Sequence, residues 1–168
     1  MPTRTSWFLY ACLTLGVCLL IFASTQSLPP IVAANFDSAG VASGQMSREN
    51  YRYLMIGAVL FLAAIHALVF WLVRVLPVSA INLPNKEFWL SAKNRGQTMQ
   101  YITHWGIAMG GAVLIFFAGI HACVIAAHRV TPPAMPNTMM AILLGAFGLV
   151  VSVLVLVLVR RFRLPDPK

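Results

Sequence analysis

The chain has 168 residues, 60% of them hydrophobic and only 10% charged, with a mean hydropathy of +0.82. A soluble domain carries about a quarter charged residues, so the composition excludes a water-dispersed globule and points to a lipid-embedded one. The net charge of +8 is scattered near the ends of apolar runs, which suits membrane orientation and not a nucleic-acid face.

The first apolar run, residues 7–23, follows a short polar start with Arg4 and holds no charge. At about 17 residues it reaches the lower limit for a spanning helix. A cleaved signal peptide with a cut near Ala23 is the competing reading; the long apolar core favours a retained span. Pro29 and Pro30 stop this helix and hold the chain extended. The stretch 28–51 is read as a loop. Asp37-Ser38-Ala39-Gly40 has the order of a tight turn, and Gly44 adds a flexible point. Ser47 is placed to cap the next helix, with Glu49 in its first turn.

The second span is read over 53–75, with Tyr51 and Tyr53 at one end and Phe70 and Trp71 at the other, an aromatic marking of both interfaces. The 77–103 loop carries Lys86, Glu87, Lys93 and Arg95, and its Phe88, Trp89 and Leu90 are read as lying at the membrane surface. The third span, 104–127, contains Gly106 and Gly110 four residues apart, a spacing that lets helix backbones approach closely in lipid. Pro132, Pro133 and Pro136 make a short turn, and the fourth span, 138–159, ends at Arg160, Arg161 and Arg163. The expected fold is therefore all-α, a single membrane domain with a bundle of four transmembrane helices. Four spans put both termini on one side. Arg4, Arg74, Lys86, Lys93, Arg95, Arg160, Arg161, Arg163 and Lys168 fall on that side, and Arg48, Arg52 and Arg129 on the other. The positive-inside rule then gives N-in and C-in, with the 24–52 loop outside and the 77–103 loop in the cytoplasm.

Candidate chemistry is sparse. The four acidic residues all lie in loops or tails, so no span holds a carboxylate pair or a proton relay partner. No phosphate-cradling Gly-Lys motif is present, and Ser47 has no His or Asp in a triad-like arrangement. Cys12, Cys18 and Cys123 sit inside apolar runs without metal-ligand spacing. His66 and His121 lie within spans; counted from the outer helix ends they differ by about 10 Å in depth, poor geometry for one haem or metal. His66, expensive at mid-span, is expected to face other helices and hydrogen-bond across them. No cofactor, metal or enzymatic activity is expected.

Two stretches carry a family resemblance. Leu28-Pro29, Val32-Ala33, Asn35-Phe36-Asp37, Gly40 and Gly44 resemble the loop of the bacterial domain of unknown function 1648, with Asn35 where most relatives have His. Leu83-Pro84-Asn85-Lys86-Glu87-Phe88-Trp89-Leu90 is similar to a cytoplasmic-loop segment of many of its members. Larger relatives of the Sdp immunity type confer resistance to a secreted toxin and relay its presence to a cytoplasmic repressor. The resemblance implies a bacterial inner-membrane protein with an external ligand-sensing loop and a cytoplasmic contact face. Recognition is then expected at Pro29, Asn35, Phe36, Asp37, Gly40 and Gly44. The cytoplasmic contact is expected at Pro84, Asn85, Lys86, Phe88 and Trp89, and helix packing at Gly106, Gly110 and His66. The partners expected are membrane lipid, an external peptide or protein, and a membrane-protein partner or second copy; no nucleic acid is expected. An accessory subunit using the small-residue face of the third span is the runner-up function, and a small-solute transporter the third.

Overall fold

The computed structural model describes residues 2–163. Helix α1 (Pro2–Ser24) ends in a single 3-10 turn at Thr25–Ser27, and the extended Leu28 leads into the two prolines. Strands β1 (Ile31–Phe36) and β2 (Ala42–Ser47) follow, so the 28–51 stretch is a β-hairpin and not the plain loop read from its turn residues. Ile31, Val32 and Phe36 favour a pleated backbone. They lead into a turn closed by the Asp37 carboxylate, whose Oδ1 accepts the N–H groups of Ala39 at 2.9 Å and Val41 at 2.8 Å. Gly40 takes the left-handed conformation at φ 84°. The strands pair antiparallel from Ile31 opposite Ser47 to Phe36 opposite Ala42, with irregular register on both sides of Asn35.

Helix α2 (Arg48–Val75) starts at its cap, since the Ser47 hydroxyl accepts the Asn50 N–H at 3.2 Å. A single turn at Val78–Ala80 and the short α3 (Lys86–Trp89) fill the next connection. Helix α4 (Arg95–Ala127) starts well before the apolar span read at 104, because polar residues such as Gln97 and Gln100 continue the same helix. Its first turns are anchored by Thr98, whose hydroxyl donates to the Trp89 carbonyl at 2.8 Å. Helix α5 (Asn137–Arg161) completes the chain. The molecule is mostly helical, in keeping with the all-α class, with one small sheet at one end of the bundle. Among the described residues four helices are long and apolar enough to cross a membrane.

Helix α4 is the centre, packing against α1, α2 and α5. The buried core joins Tyr10, Val17 and Ile21 of α1 to Met55 and Val59 of α2 and Leu114 and Val124 of α4, and continues into Leu28 and Val32 of the hairpin. Glycines decide how closely these helices approach. The Phe70 ring of α2 occupies the space that a Cβ on Gly106 would need. Tyr10 of α1 lies over Gly110, its hydroxyl 2.9 Å from where a Cβ would sit. By contrast α5 has no buried residue. It is attached to α4 by the stacked rings of Phe116 and Phe147, 4.3 Å apart, and by the Trp105 indole N–H, which donates to the Leu154 carbonyl at 2.7 Å.

Candidate functional site

The hairpin is strapped to the bundle at its base and its tip. At the base, the Arg48 guanidinium donates to the Leu28 carbonyl at 3.1 Å, and the Arg48 N–H donates to the Pro30 carbonyl at 2.9 Å. Midway, the Ala33 N–H donates to His128 Nε2 at 3.0 Å, while His128 Nδ1–H donates to the Val124 carbonyl one turn back in α4. That second bond selects the tautomer that leaves Nε2 free to accept. At the tip, the Met135 N–H donates to the Gly40 carbonyl at 2.9 Å, Val41 pairs with Ala134, and Asn137 Nδ2 donates to the Ala39 carbonyl. The α4–α5 connection thus meets the hairpin turn through one isolated bridge and these hydrogen bonds.

This arrangement separates the residues expected to recognise a ligand together. Asn35 is exposed and its side chain lies over Gly44, too close to leave room for a Cβ there. Phe36 is half-buried against the core, and Asp37 is committed to the turn. Gly40 is buried against Met135 and Asn137, while Pro29 is exposed at the entry to the hairpin. The outward set is Ile31, Asn35, Val41, Ser43 and Gln45. Sequence reasoning did not single out Ser43 and Gln45; the alternation along β2 is the signal that marks them once that segment is read as a strand.

Below the hairpin lies a buried polar chain that sequence reasoning missed. His121 is fully buried in α4. Its Nδ1 is 2.9 Å from the Tyr51 hydroxyl of α2 and its Nε2 is 2.8 Å from the Ser24 hydroxyl of α1. The Ser24 hydroxyl donates to the Leu20 carbonyl. A hydroxyl has one proton, so Nε2–H donates to Ser24 and Nδ1 accepts from Tyr51. The Ser–His distance alone matches an activated nucleophile. The proton directions do not: the imidazole presents N–H, not a lone pair, to the serine. The chain therefore clamps three helices. His66, expected to bond across helices, does not: its Nδ1 meets the Leu62 carbonyl of its own helix. The helix ends hold the reason. Ser24 closes α1, Tyr51 opens α2 and His121 lies less than two turns from the end of α4. Counting depth for every polar residue, and not for histidines alone, would have brought them together.

At the opposite end of the bundle, Asn85 adopts φ 54° and donates to the Phe162 carbonyl at 3.0 Å. The Trp89 indole N–H donates to the same oxygen at 3.1 Å. Trp89 and Tyr101 pack edge-on against Phe162, and the Arg161 guanidinium lies 4.5 Å from the Trp89 ring centre and 5.4 Å from that of Tyr101. Trp89, read as a surface anchor, is therefore buried. Its ring has a better partner in the end of α5 than an interface offers, because Phe162 and Arg161 pack on it and its N–H is bonded. Asn85 stays exposed although its amide is tied to the Phe162 carbonyl, so Trp89 alone of the expected contact set is buried. Pro84, Lys86 and Phe88 keep partial or full exposure.

Among the described residues no three His, Cys, Asp or Glu side chains group as a metal site. No protein-family model matches the chain, and no curated protein or solved structure matches it.

Proposed function

We propose that this chain is a multi-pass membrane binding protein whose hairpin is its external recognition surface, with both termini and the 76–94 connection in the cytoplasm of a bacterial inner membrane. The observation that carries this reading is the strapping of the hairpin. Bonds from Arg48, His128, Met135 and Asn137 hold its backbone in place. A platform already in its bound shape loses little conformational freedom when it binds. Ile31, Asn35, Val41, Ser43 and Gln45 then form a mixed apolar and amide surface suited to a peptide or protein. The role is non-enzymatic. The likeness of the two connecting stretches to the domain of unknown function 1648 supports sensing or immunity of the Sdp type as its biological setting.

The runner-up reading, an accessory subunit docking through the small-residue face of α4, keeps exposed Ala122 for that contact but not the two glycines. Phe70 and Tyr10 of the same chain already cover Gly106 and Gly110.

Photo-crosslinking in cells from position 45, with the adduct identified by mass spectrometry, tests the proposal. A secreted peptide or external protein is the expected adduct, lost when Asn35 and Ser43 are replaced by Arg. Absence of any adduct from positions 31, 43 and 45 overturns it. Orientation is tested in a cysteine-free background. Ser43→Cys is expected to react with an impermeant maleimide in intact cells and Lys93→Cys only after lysis; the reverse pattern inverts the topology.

A further inference from the structure

We propose that the groove between α4 and α5, with the basic cluster at its lower end, binds one anionic phospholipid. An acyl chain would lie in the groove and the phosphate would sit among the arginines. The proposal rests on the reading of α4 and α5 as membrane-embedded, and is independent of what the hairpin recognises.

The groove comes first. Ala108, Gly111 and Ala112 of α4 and Ala146 of α5 line an open trough of about 420 Å³, together with Phe116, Phe147 and Leu154. Its lining is almost wholly apolar, so it offers nothing to water or to a polar solute. An unfilled trough forfeits the dispersion contacts of its walls, and no residue of α5 is buried where it packs on α4 beside the trough through Leu143, Phe147 and Leu154. A flexible methylene chain matches the slot and would join the two helices.

The charge comes second, from different residues. Leu154 marks the end of the groove nearest Arg161. Seven residues on, about two turns and 10 Å along the same helix face, lies Arg161, seated on Trp89 and Tyr101. Arg160 and Arg163 beside it are exposed. The bonds from Asn85 and Trp89 to the Phe162 carbonyl draw the turn of Lys86 and Glu87, which is neutral as a whole, against the same end, so the net positive charge there is that of the three arginines. Among the described residues the ion pair found in the molecule is Arg48–Glu49, at the hairpin end, so these cations have no carboxylate partner there. A cationic cluster at the end of an acyl-sized trough is complementary to one class of molecule, a lipid with a phosphate and no compensating amine. A zwitterionic lipid fits the trough but brings its own cation to the cluster. A helix from a second copy fits the trough but supplies no anion.

The test uses the full chain, recovered first from the membrane fraction in detergent; recovery in the soluble fraction instead would refute the membrane reading by itself. Native mass spectrometry then follows the retention of added phosphatidylglycerol and of phosphatidylethanolamine with the same acyl chains. One phosphatidylglycerol per monomer is expected to be retained, about thirtyfold in preference to phosphatidylethanolamine, as two cations near an anionic group provide. Arg160→Gln with Arg163→Gln is expected to abolish the preference, and the matching Lys pair to restore it. Ala112→Phe is expected to reduce retention of both lipids. Equal retention of the two lipids by the unaltered chain overturns the proposal. So does a preference that survives Arg160→Gln with Arg163→Gln. A dimer that dissociates on Ala112→Phe, with lipid retention unchanged, assigns the groove to a second copy and overturns it as well.

Discussion

Helices α4 and α5 are both long, uncharged through their middles and strongly apolar, yet they occupy opposite situations. In α4, 33% of the most apolar stretch is buried; in α5, none is. The difference lies in the residues that are not large and apolar. Helix α4 carries Gly106, Gly110, Thr103 and His121, all buried, while α5 from Val150 onward is nearly a Val/Leu run. In lipid, apolar side chains gain little by leaving one apolar medium for another. Close backbone approach and hydrogen bonds across helices decide what packs inside. Small residues mark the packed helix only where a neighbouring ring fits over them: Gly106 and Gly110 of α4 are covered, while Gly145 and Gly148 of α5 meet nothing, and hydropathy alone does not separate the two helices.

The largest expected effect separates the two helices directly. Gly106→Leu must displace the Phe70 ring, and overpacking of this kind costs about 1–3 kcal/mol. Gly145→Leu in α5 meets nothing within 4 Å and is expected to leave thermal unfolding in detergent unchanged. An equal loss in both variants would remove the distinction between a packed helix and a peripheral one. Next comes His121→Leu, which unpairs the Tyr51 hydroxyl and removes the bond to Ser24. A loss of about 1–2 kcal/mol is expected, read as a lower unfolding temperature, while His66→Leu is expected to change it far less. Trp105→Phe deletes the indole bond to the Leu154 carbonyl, for about 1 kcal/mol. Because that bond fastens α5, the loss should appear as faster proteolysis of α5 before the rest of the bundle unfolds. The smallest change has the opposite sign. The Tyr10 hydroxyl is buried with no partner among the described residues. Tyr10→Phe is expected to be neutral or to raise the unfolding temperature, since it removes an unsatisfied group and keeps the ring over Gly110. A marked loss of stability would mean that the hydroxyl has a partner after all.

The hairpin shows a different boundary of what a sequence reveals. Its turn was legible, because Asp37 and Gly40 have local jobs that depend only on neighbouring backbone. The Ser47 cap was legible for the same reason. The strands were not. Ile31 to Phe36 lacks a clean alternation, Gly44 interrupts the partner strand, and the two segments become strands only by bonding to each other and to His128. The reading of Trp89 as a surface anchor failed for a related reason: the partner that buries it, Phe162, lies 73 residues away in sequence.

The sequence by itself determined that four long apolar helices form, where the prolines and caps divide them, and how charge is distributed between their ends. Each of those follows from composition and from interactions over a few residues. Only the tertiary structure decided that α4 is central and α5 peripheral, and that His121 joins Tyr51 to Ser24 while His66 turns to its own helix. It alone decided that Phe36 and Trp89 face inward and that Asn35 and Gln45 face outward. Those outcomes depend on which residues reach equal depth on neighbouring helices, and on which faces the glycines allow to touch. Such long-range matches leave almost no local mark on the chain.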